Sequence, residues 1–167
     1  MNEQIKKAMT YAQQAHMAQT YDGYPYFKHL EDVYEVLLEF NFREDNPEAL
    51  PILIASWLHD ILEDTARSWS DLKNNFGVEV AEIVYCMTDE LARTRKEKKE
   101  KTYPKIRSNS KSTILKVADR IANVRHSKSV ASSQFDMYLK EQAEFQRMLR
   151  IYKHIDAMWD NLNLLLS

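Results

Sequence analysis

The stretch SWLHDILEDT, residues 56–65, combines the spacing of an amphipathic helix with polar residues that a packed helix does not need. Apolar side chains recur three and four positions apart, at Ile54, Leu58, Ile61 and Leu62. This period predicts a helix near residues 50–64. Because residues i and i+4 share a helix face, His59 is expected to lie over Glu63. Asp60 is expected to lie over Asp64 in the same way.

The same spacing continues along the chain, and little in the composition favours strands. Two glycines and four prolines in 167 residues leave few positions for tight hairpin turns. Helices are predicted near 3–18, 29–42, 50–64, 69–75, 78–90, 111–126, 134–150 and 152–166. We expect Ser70 to begin the helix at 69–75, and we expect a loop at QTYDGYPYF, residues 19–27. The prediction is an all-α fold, a single helical bundle over residues 1–167.

Composition narrows the class of protein. The 23 basic and 25 acidic side chains give a net charge of −2, so a broad nucleic-acid surface is not expected. Cys86 is the one cysteine, which excludes an intrachain disulfide and is consistent with a reducing compartment. No apolar run approaches the ~20 residues of a membrane span, and the start lacks a signal peptide. We therefore expect a cytoplasmic protein with a small-molecule partner and neither nucleic acid nor membrane; the oligomeric state stays open.

The acids in the opening stretch have no basic partner nearby in the sequence. There is no Lys or Arg between Pro51 and Arg67 that would pair with Asp60, Glu63 or Asp64. Ordinary salt bridges to distant residues are one interpretation. The interpretation we favour is a divalent cation, because it offsets the repulsion that burial of several carboxylates creates.

Two further residues fit such a site. His29 follows the Gly/Pro loop at the start of a helix, although a histidine there is more often a cap or a surface residue. Asp119 lies in ILKVADRIANVRHS, residues 114–127, a helix that is apolar on more than one side. Arg120 points elsewhere, and the i+4 position holds Asn123 rather than a cation. The resulting set suits Mn²⁺, Fe or Zn²⁺ with positions open for water: His29, His59, Asp60 and Asp119.

The order H, HD, D, with HDILEDT at 59–65 and KVADRIANVR at 116–125, resembles the HD-domain metal-dependent phosphohydrolases. Within them it is most similar to the hydrolase domain of the RelA/SpoT family and its small alarmone hydrolases. The resemblance implies that Mn²⁺ is bound by His29, His59, Asp60 and Asp119. It also implies that Glu63 and Asp64 orient or activate the attacking water and handle the leaving group. Asn123 is implied to contact the ribose.

The reaction implied by the resemblance is Mn²⁺-dependent removal of the 3′-pyrophosphate of (p)ppGpp, which gives GDP or GTP and pyrophosphate. The residues support such chemistry, since a bound divalent cation lowers the pKa of water and offsets negative charge at phosphorus. Adjacent carboxylates raise one another's proton affinity, which suits general acid–base work. Two alternatives stay open. One is a phosphatase for another 3′- or 2′-phosphorylated nucleotide such as NADPH, and the other is a module that binds a nucleotide or a partner helix without turnover.

Substrate contacts are expected in three places. The basic stretch RTRKEKKEKTYPKIRSNSK, residues 93–111, is either a solvated helix or loop, or a wall facing phosphates to which Lys98 and Lys101 contribute. Tyr138 lies where relatives often have a tyrosine near the ribose or 3′-phosphates; a core aromatic is the alternative. In the loop before His29, relatives often carry Arg-Lys beside the guanine, whereas this chain has Tyr21 and Asp22.

The loop substitution bears on the choice of base. Tyr21 stacks on a purine in one interpretation and packs on the surface as a turn residue in the other. Asp22 beside the base would accept hydrogen bonds from the N1 and N2 donors of guanine. We therefore predict a retained preference for guanosine nucleotides, with weaker discrimination between bases than in an Arg-Lys relative.

Overall fold

The computed structural model describes all 167 residues and confirms the prediction of an all-α fold. Its helices are α1 (Glu3–Ala15), α2 (Phe27–Glu39), α3 (Leu50–Leu58), α4 (Ile61–Asp64), α5 (Trp69–Phe76), α6 (Val78–Met87), α7 (Arg95–Arg107), α8 (Ser110–Ser129), α9 (Gln134–Leu149) and α10 (Asp156–Leu165). A 3₁₀ turn, Lys153–Ile155, precedes α10. None of the helices is both long enough and apolar enough to cross a bilayer.

The loop predicted at residues 19–27 contains a short hairpin that the sequence analysis did not predict. Strand β1 (Thr20–Tyr21) pairs antiparallel with β2 (Tyr24–Pro25). The two residues between the strands, Asp22 and Gly23, have φ angles of +48° and +83°. An Asp-Gly pair with positive φ at both positions is the usual two-residue hairpin turn, so the signal for this hairpin was present in the sequence.

Helix α8 forms the centre of the bundle. It contacts α2, α3, α6, α7, α9 and α10, and its 20 residues span about 30 Å. Contacts on several sides explain why the sequence of α8 is apolar around most of its circumference. Its buried side chains include Leu115, Val117, Ala118, Ile121 and Val124. A residue in the middle of α8 is therefore held rigidly and shielded from water.

The predicted continuous helix over 50–64 is wrong at the His59-Asp60 pair. Helix α3 ends at Leu58, the next two residues form a turn, and α4 begins at Ile61. Asp60 has φ −100° and ψ 1°, in the sparsely populated bridge region between helix and strand. The turn places His59 and Asp60 next to residues of α2 and α8. The regular helix is therefore interrupted at this polar pair.

Two other helix predictions need correction or completion. Helix α5 is capped by Ser68 rather than Ser70: the Ser68 hydroxyl accepts from the Asp71 N–H at 3.2 Å, and the Asp71 carboxylate accepts from the Ser68 N–H at 2.8 Å. The basic stretch forms a helix, α7, whose buried residues are Thr102, Tyr103 and Ile106. Most of its charged side chains stay solvated, as the first interpretation of that stretch expected.

Candidate metal centre and active site

Three separate elements bring a histidine, a second histidine and a carboxylate together in the core. His29 is in the first turn of α2, His59 follows α3, and Asp119 lies midway along α8; all three are buried. One potential ligand atom from each lies within 4.8 Å of the other two. The His29 Nε2 atom is 3.3 Å from Asp119 Oδ1, and the His59 Nε2 atom is 3.8 Å from it.

Asp60 lies beside the two imidazoles. Its Oδ2 atom is 3.0 Å from His59 Nε2 and 3.8 Å from His29 Nε2. The Tyr26 hydroxyl donates a short hydrogen bond to the same oxygen. The Asp60 side chain is 22% exposed, so Asp60 forms the solvent-facing edge of the cluster. All four residues predicted as metal ligands are thus brought together.

The hydrogen bonding of His59 fits a metal ligand. Its Nδ1 lies 2.8 Å from the Ser56 carbonyl oxygen, which can only accept, so Nδ1 carries the proton in the neutral ring. Its Nε2 is buried and has no hydrogen bond, although an Asp60 oxygen lies 3.0 Å away. An imidazole whose free nitrogen faces carboxylates, with the other nitrogen fixed by a carbonyl, is the usual arrangement of a metal-binding histidine. The donor set fits a divalent cation.

The expectation that Asp119 has no basic partner was wrong. Lys116, three residues earlier on α8, places its Nζ 3.0 Å from Asp119 Oδ2. The i−3 position lies on the same helix face as the i+4 position, so this pair was visible in the sequence. Burial alone would raise the pKa of Asp119, but Lys116 and the two imidazoles outweigh it and hold the pKa well below its usual range. The carboxylate is therefore ionised and able to bind a cation.

Glu63 and Asp64 stand outside the histidine–aspartate cluster and are held by hydrogen bonds. Glu63 Oε1 accepts from the Asp89 N–H at 2.6 Å, and Asp64 Oδ2 accepts from the Gln19 amide at 2.7 Å. Partial burial of the Glu63 carboxyl raises its pKa to about 6, because this effect outweighs the lowering caused by the hydrogen bond from the Asp89 N–H. The negative charge on Asp60 adds to the increase. Glu63 can therefore exchange a proton near neutral pH.

A cavity of about 470 Å³ adjoins the cluster through His29. It lies between the β1–β2 hairpin, α2 and α8, and its lining is Tyr21, Tyr24, Pro25, Lys28, His29, Asp32, Glu35, Val36, Glu39, Ala122, Arg125, His126, Ser129 and Val130. The Tyr21 hydroxyl donates to Asn123 Oδ1 at 2.9 Å, and the Asn123 amide donates to Asp119. Tyr21 and Asn123 thus connect the cavity to the metal cluster.

Asp22, which was predicted to accept hydrogen bonds from guanine, does not line this cavity. Its Oδ2 atom lies 2.9 Å from His126 Nε2. The carboxylate is already paired, so the structure gives no support to Asp22 as the acceptor that selects the base.

The other predicted substrate contacts lie away from the cavity. Lys98 pairs with the Asp89 carboxylate at 3.3 Å, and Lys101 donates to the Leu91 carbonyl at 3.0 Å. Through Asp89, Lys98 lies on the Glu63 side of the site. Tyr138 is 8% exposed. Its position is thus largely that of the core aromatic considered as the alternative.

A group of cations beside Tyr138 was missed by the sequence analysis. Arg95, Lys99 and Arg120 all pair with one carboxylate, that of Glu141. The Arg120 guanidinium also lies 4.7 Å from the Tyr138 ring centroid. Three cations on one anion leave an excess of positive charge. The signal in the sequence was the i, i+4 spacing of Arg95 and Lys99, which places both on the same face of α7.

Comparison with known proteins gives a family for this arrangement. The family model described as HD domain matches residues 8–157. The chain is 29% identical over 103 residues to the guanosine-3′,5′-bis(diphosphate) 3′-pyrophosphohydrolase MESH1 of Drosophila melanogaster, which covers 60% of this chain and 55% of that protein. It is 30% identical over 131 residues to the bifunctional (p)ppGpp synthase/hydrolase SpoT of Escherichia coli K12, which covers 74% of this chain and 18% of that protein. The chain thus matches about half of one relative and under a fifth of the other.

Solved structures agree with this result at the level of the fold. A metazoan ortholog of SpoT, described as hydrolysing ppGpp, superposes with a TM-score of 0.79 at 22% identity, over 97% of this chain and 94% of that one. A protein of Listeria monocytogenes EGD-e superposes with a TM-score of 0.64 at 25% identity, over 87% and 99%. The resemblance drawn from HDILEDT and KVADRIANVR is confirmed, and the chain belongs to the HD domain family.

Proposed function

We propose that this protein is a divalent-metal-dependent hydrolase that removes the pyrophosphate group from the 3′ position of (p)ppGpp, giving GDP or GTP. The observation that carries the proposal is the buried His29, His59 and Asp119 cluster, with Asp60 at its edge, beside a cavity large enough for a small ligand. The activity in the names of the HD-domain relatives supports the choice of substrate.

The metal in this proposal is Mn²⁺, with Fe or Zn²⁺ as alternatives. His29, His59, Asp60 and Asp119 would hold it, because two imidazoles and two ionised carboxylates are the mixed donor set that such ions accept. When bound, the cation polarises phosphoryl oxygens and lowers the pKa of water. Lys116 keeps Asp119 ionised, and Tyr26 fixes the orientation of Asp60.

Glu63 is the proposed proton acceptor, and Asp64 assists it. The oxygen of a water molecule bonds to the phosphorus attached to the ribose 3′-oxygen, and the bond between that phosphorus and the 3′-oxygen breaks. The proton lost by the water goes to Glu63, whose pKa near 6 suits this role, and the Glu63–Asp64 pair returns it to the leaving 3′-oxygen. The Asp89 N–H and the Gln19 amide hold the two carboxylates in place for this transfer.

The substrate contacts follow from the same placement. Asn123 is proposed to contact the ribose. Its side-chain oxygen accepts from Tyr21 and its side-chain nitrogen donates to Asp119, so the hydrogen bond from the Tyr21 hydroxyl has to break when the sugar binds. The pyrophosphate is proposed to extend towards the side of Tyr138. Lys98 is proposed to contact phosphate from the Glu63 side, through its position next to Asp89, and Lys101 from the following turn of α7.

The test is a panel of substrates with purified protein and added Mn²⁺. Guanosine and adenosine 5′,3′-polyphosphates and NADPH are supplied, and pyrophosphate and orthophosphate are measured separately. The proposal predicts pyrophosphate from the guanosine compounds. Orthophosphate from NADPH, with no pyrophosphate from guanosine compounds, would show that the proposed substrate is wrong and that the proposed metal-dependent hydrolysis is right. No product from any compound by the metal-loaded protein would favour a binding module.

A further inference from the structure

One carboxylate in the cavity differs from every other charged group that lines it. Lys28 pairs with Asp32 at 2.8 Å, Arg125 pairs with Glu39 at 2.8 Å, and His126 pairs with Asp22. Glu35, between Asp32 and Glu39 on the same ridge of α2, lines the cavity from a solvent-exposed position and has neither an ion pair nor a hydrogen bond within the protein. Its acceptor oxygens are therefore free for a ligand.

The position of Glu35 relative to the metal cluster suits the far end of a nucleoside. His29 and Glu35 are six residues apart on α2, which corresponds to an axial rise of about 9 Å. A phosphoryl group at the cluster would place the ribose along this length of helix and the base near Glu35. The cavity lining also includes apolar side chains, which suit the faces of a planar ring: Tyr24, Pro25, Val36, Ala122 and Val130.

The charge at this end of the cavity favours a neutral group that donates hydrogen bonds. Asp32, Glu35 and Glu39 outnumber the two cations Lys28 and Arg125, both already paired. A phosphate would meet an excess of negative charge. A carboxylate accepts two parallel hydrogen bonds, and such charged bidentate pairs are among the stronger and more specific hydrogen bonds.

We infer that Glu35 selects the base of the substrate by accepting hydrogen bonds from two adjacent donors on one edge of a guanine, the N1–H and the 2-amino group. This inference rests on the proposed function, because the proposed function places the 3′-phosphoryl group at the metal cluster. Hypoxanthine offers only the N1–H on that edge, and adenine offers an acceptor at N1. Glu35 thus takes the role that the sequence analysis gave to Asp22, whose carboxylate is bound to His126.

The experiment compares kcat/KM for the guanosine, inosine and adenosine 5′-diphosphate 3′-diphosphates in the wild-type protein and in Glu35→Ala. One hydrogen bond to a charged group corresponds to about a tenfold effect. The wild-type protein should favour guanosine over inosine about tenfold. Glu35→Ala should bring this ratio to about 1 and leave the adenosine compound unaffected. Glu82→Ala is the matched control, because Glu82 is an exposed glutamate without an ion pair that lies on α6, outside the cavity; its ratio should match the wild type.

A second measurement separates this inference from the proposed reaction. Binding of GDP and IDP is measured by calorimetry in the same variants and requires no turnover. If no substrate is hydrolysed but the GDP-to-IDP affinity ratio falls to about 1 in Glu35→Ala, the assignment of Glu35 stands and the proposed reaction fails. A guanosine-to-inosine ratio that Glu35→Ala leaves unchanged, in turnover or in binding, overturns the assignment whatever the reaction is.

Discussion

Replacing Lys116 by Met should destabilise the metal-free protein strongly, and added metal should reduce the loss. Lys116 is the one lysine or arginine of the chain within salt-bridge distance of Asp119, which also has the imidazoles of His29 and His59 beside it. Methionine keeps most of the volume of the lysine stem and removes the charge. The substitution leaves a buried carboxylate beside Asp60 without a fixed positive neighbour, and this raises the proton affinity of Asp119.

The expected loss follows from the distance and the burial of the pair. At 3.0 Å, with an effective dielectric constant near 20, the attraction is about 5 kcal/mol before desolvation is considered. Removing one partner of a buried pair costs about 3–5 kcal/mol. Lys116 is 23% exposed, so we expect a value near the lower end, about 3 kcal/mol. For a chain of 167 residues this lowers Tm by roughly 6–12 °C.

Thermal and urea unfolding in EDTA measure this loss, and a second series with saturating Mn²⁺ measures its recovery. Because a bound cation stabilises the Asp119 carboxylate in place of Lys116, the deficit should be clearly smaller in the second series. Lys6→Met is the control, since Lys6 makes a pair with the same spacing on the surface, with Glu3, and its loss should have no measurable effect. A deficit below about 1 kcal/mol in EDTA, or one that Mn²⁺ does not reduce, would refute the electrostatic role of Lys116.

Three further predictions concern the cluster and its neighbours. Asp60→Ala should leave less than a tenth of the bound metal by elemental analysis, and full retention would remove Asp60 from the ligand set. Glu63→Gln combined with Asp64→Asn should keep the metal but lose about 100-fold or more in kcat, whereas an unchanged kcat would exclude the proposed proton transfer. Burial lowers the pKa of His59, but Asp60 and Asp119 outweigh it and raise the pKa to about 9. A proton therefore competes with metal at Nε2, so affinity measured by calorimetry should increase with pH up to about 9; a flat profile between pH 6 and 9 would contradict this.

The fold was predictable because its signals are local. The three- and four-residue apolar spacing and the scarcity of glycine predict helices that the structure contains, with ends that coincide or are displaced by up to four residues. The break between α3 and α4 was not predictable in this way, because His59 and Asp60 leave regular helix to meet residues of α2 and α8. The hairpin was predictable from Asp22-Gly23 and was overlooked.

The members of the metal cluster could be predicted from residue type, whereas their partners could not. An acid in the apolar helix α8 and a histidine–aspartate pair without nearby cations are visible in the sequence. The contact between Tyr26 and Asp60 depends on how the hairpin packs against α3 and α4, which no local pattern specifies. The unpaired state of Glu35 could not be predicted either, because it depends on where the side chains of α8 lie relative to α2.

The most direct test of the central claim is a titration of metal-stripped protein with Mn²⁺, in which bound metal and the rate of pyrophosphate release from guanosine 5′-diphosphate 3′-diphosphate are measured in the same samples. A catalytic metal at this cluster predicts that the rate rises in proportion to bound metal and saturates at one ion per chain, and that Asp60→Ala shows neither binding nor release. Pyrophosphate release at full rate in EDTA, or a chain with one ion bound that releases none, would contradict it.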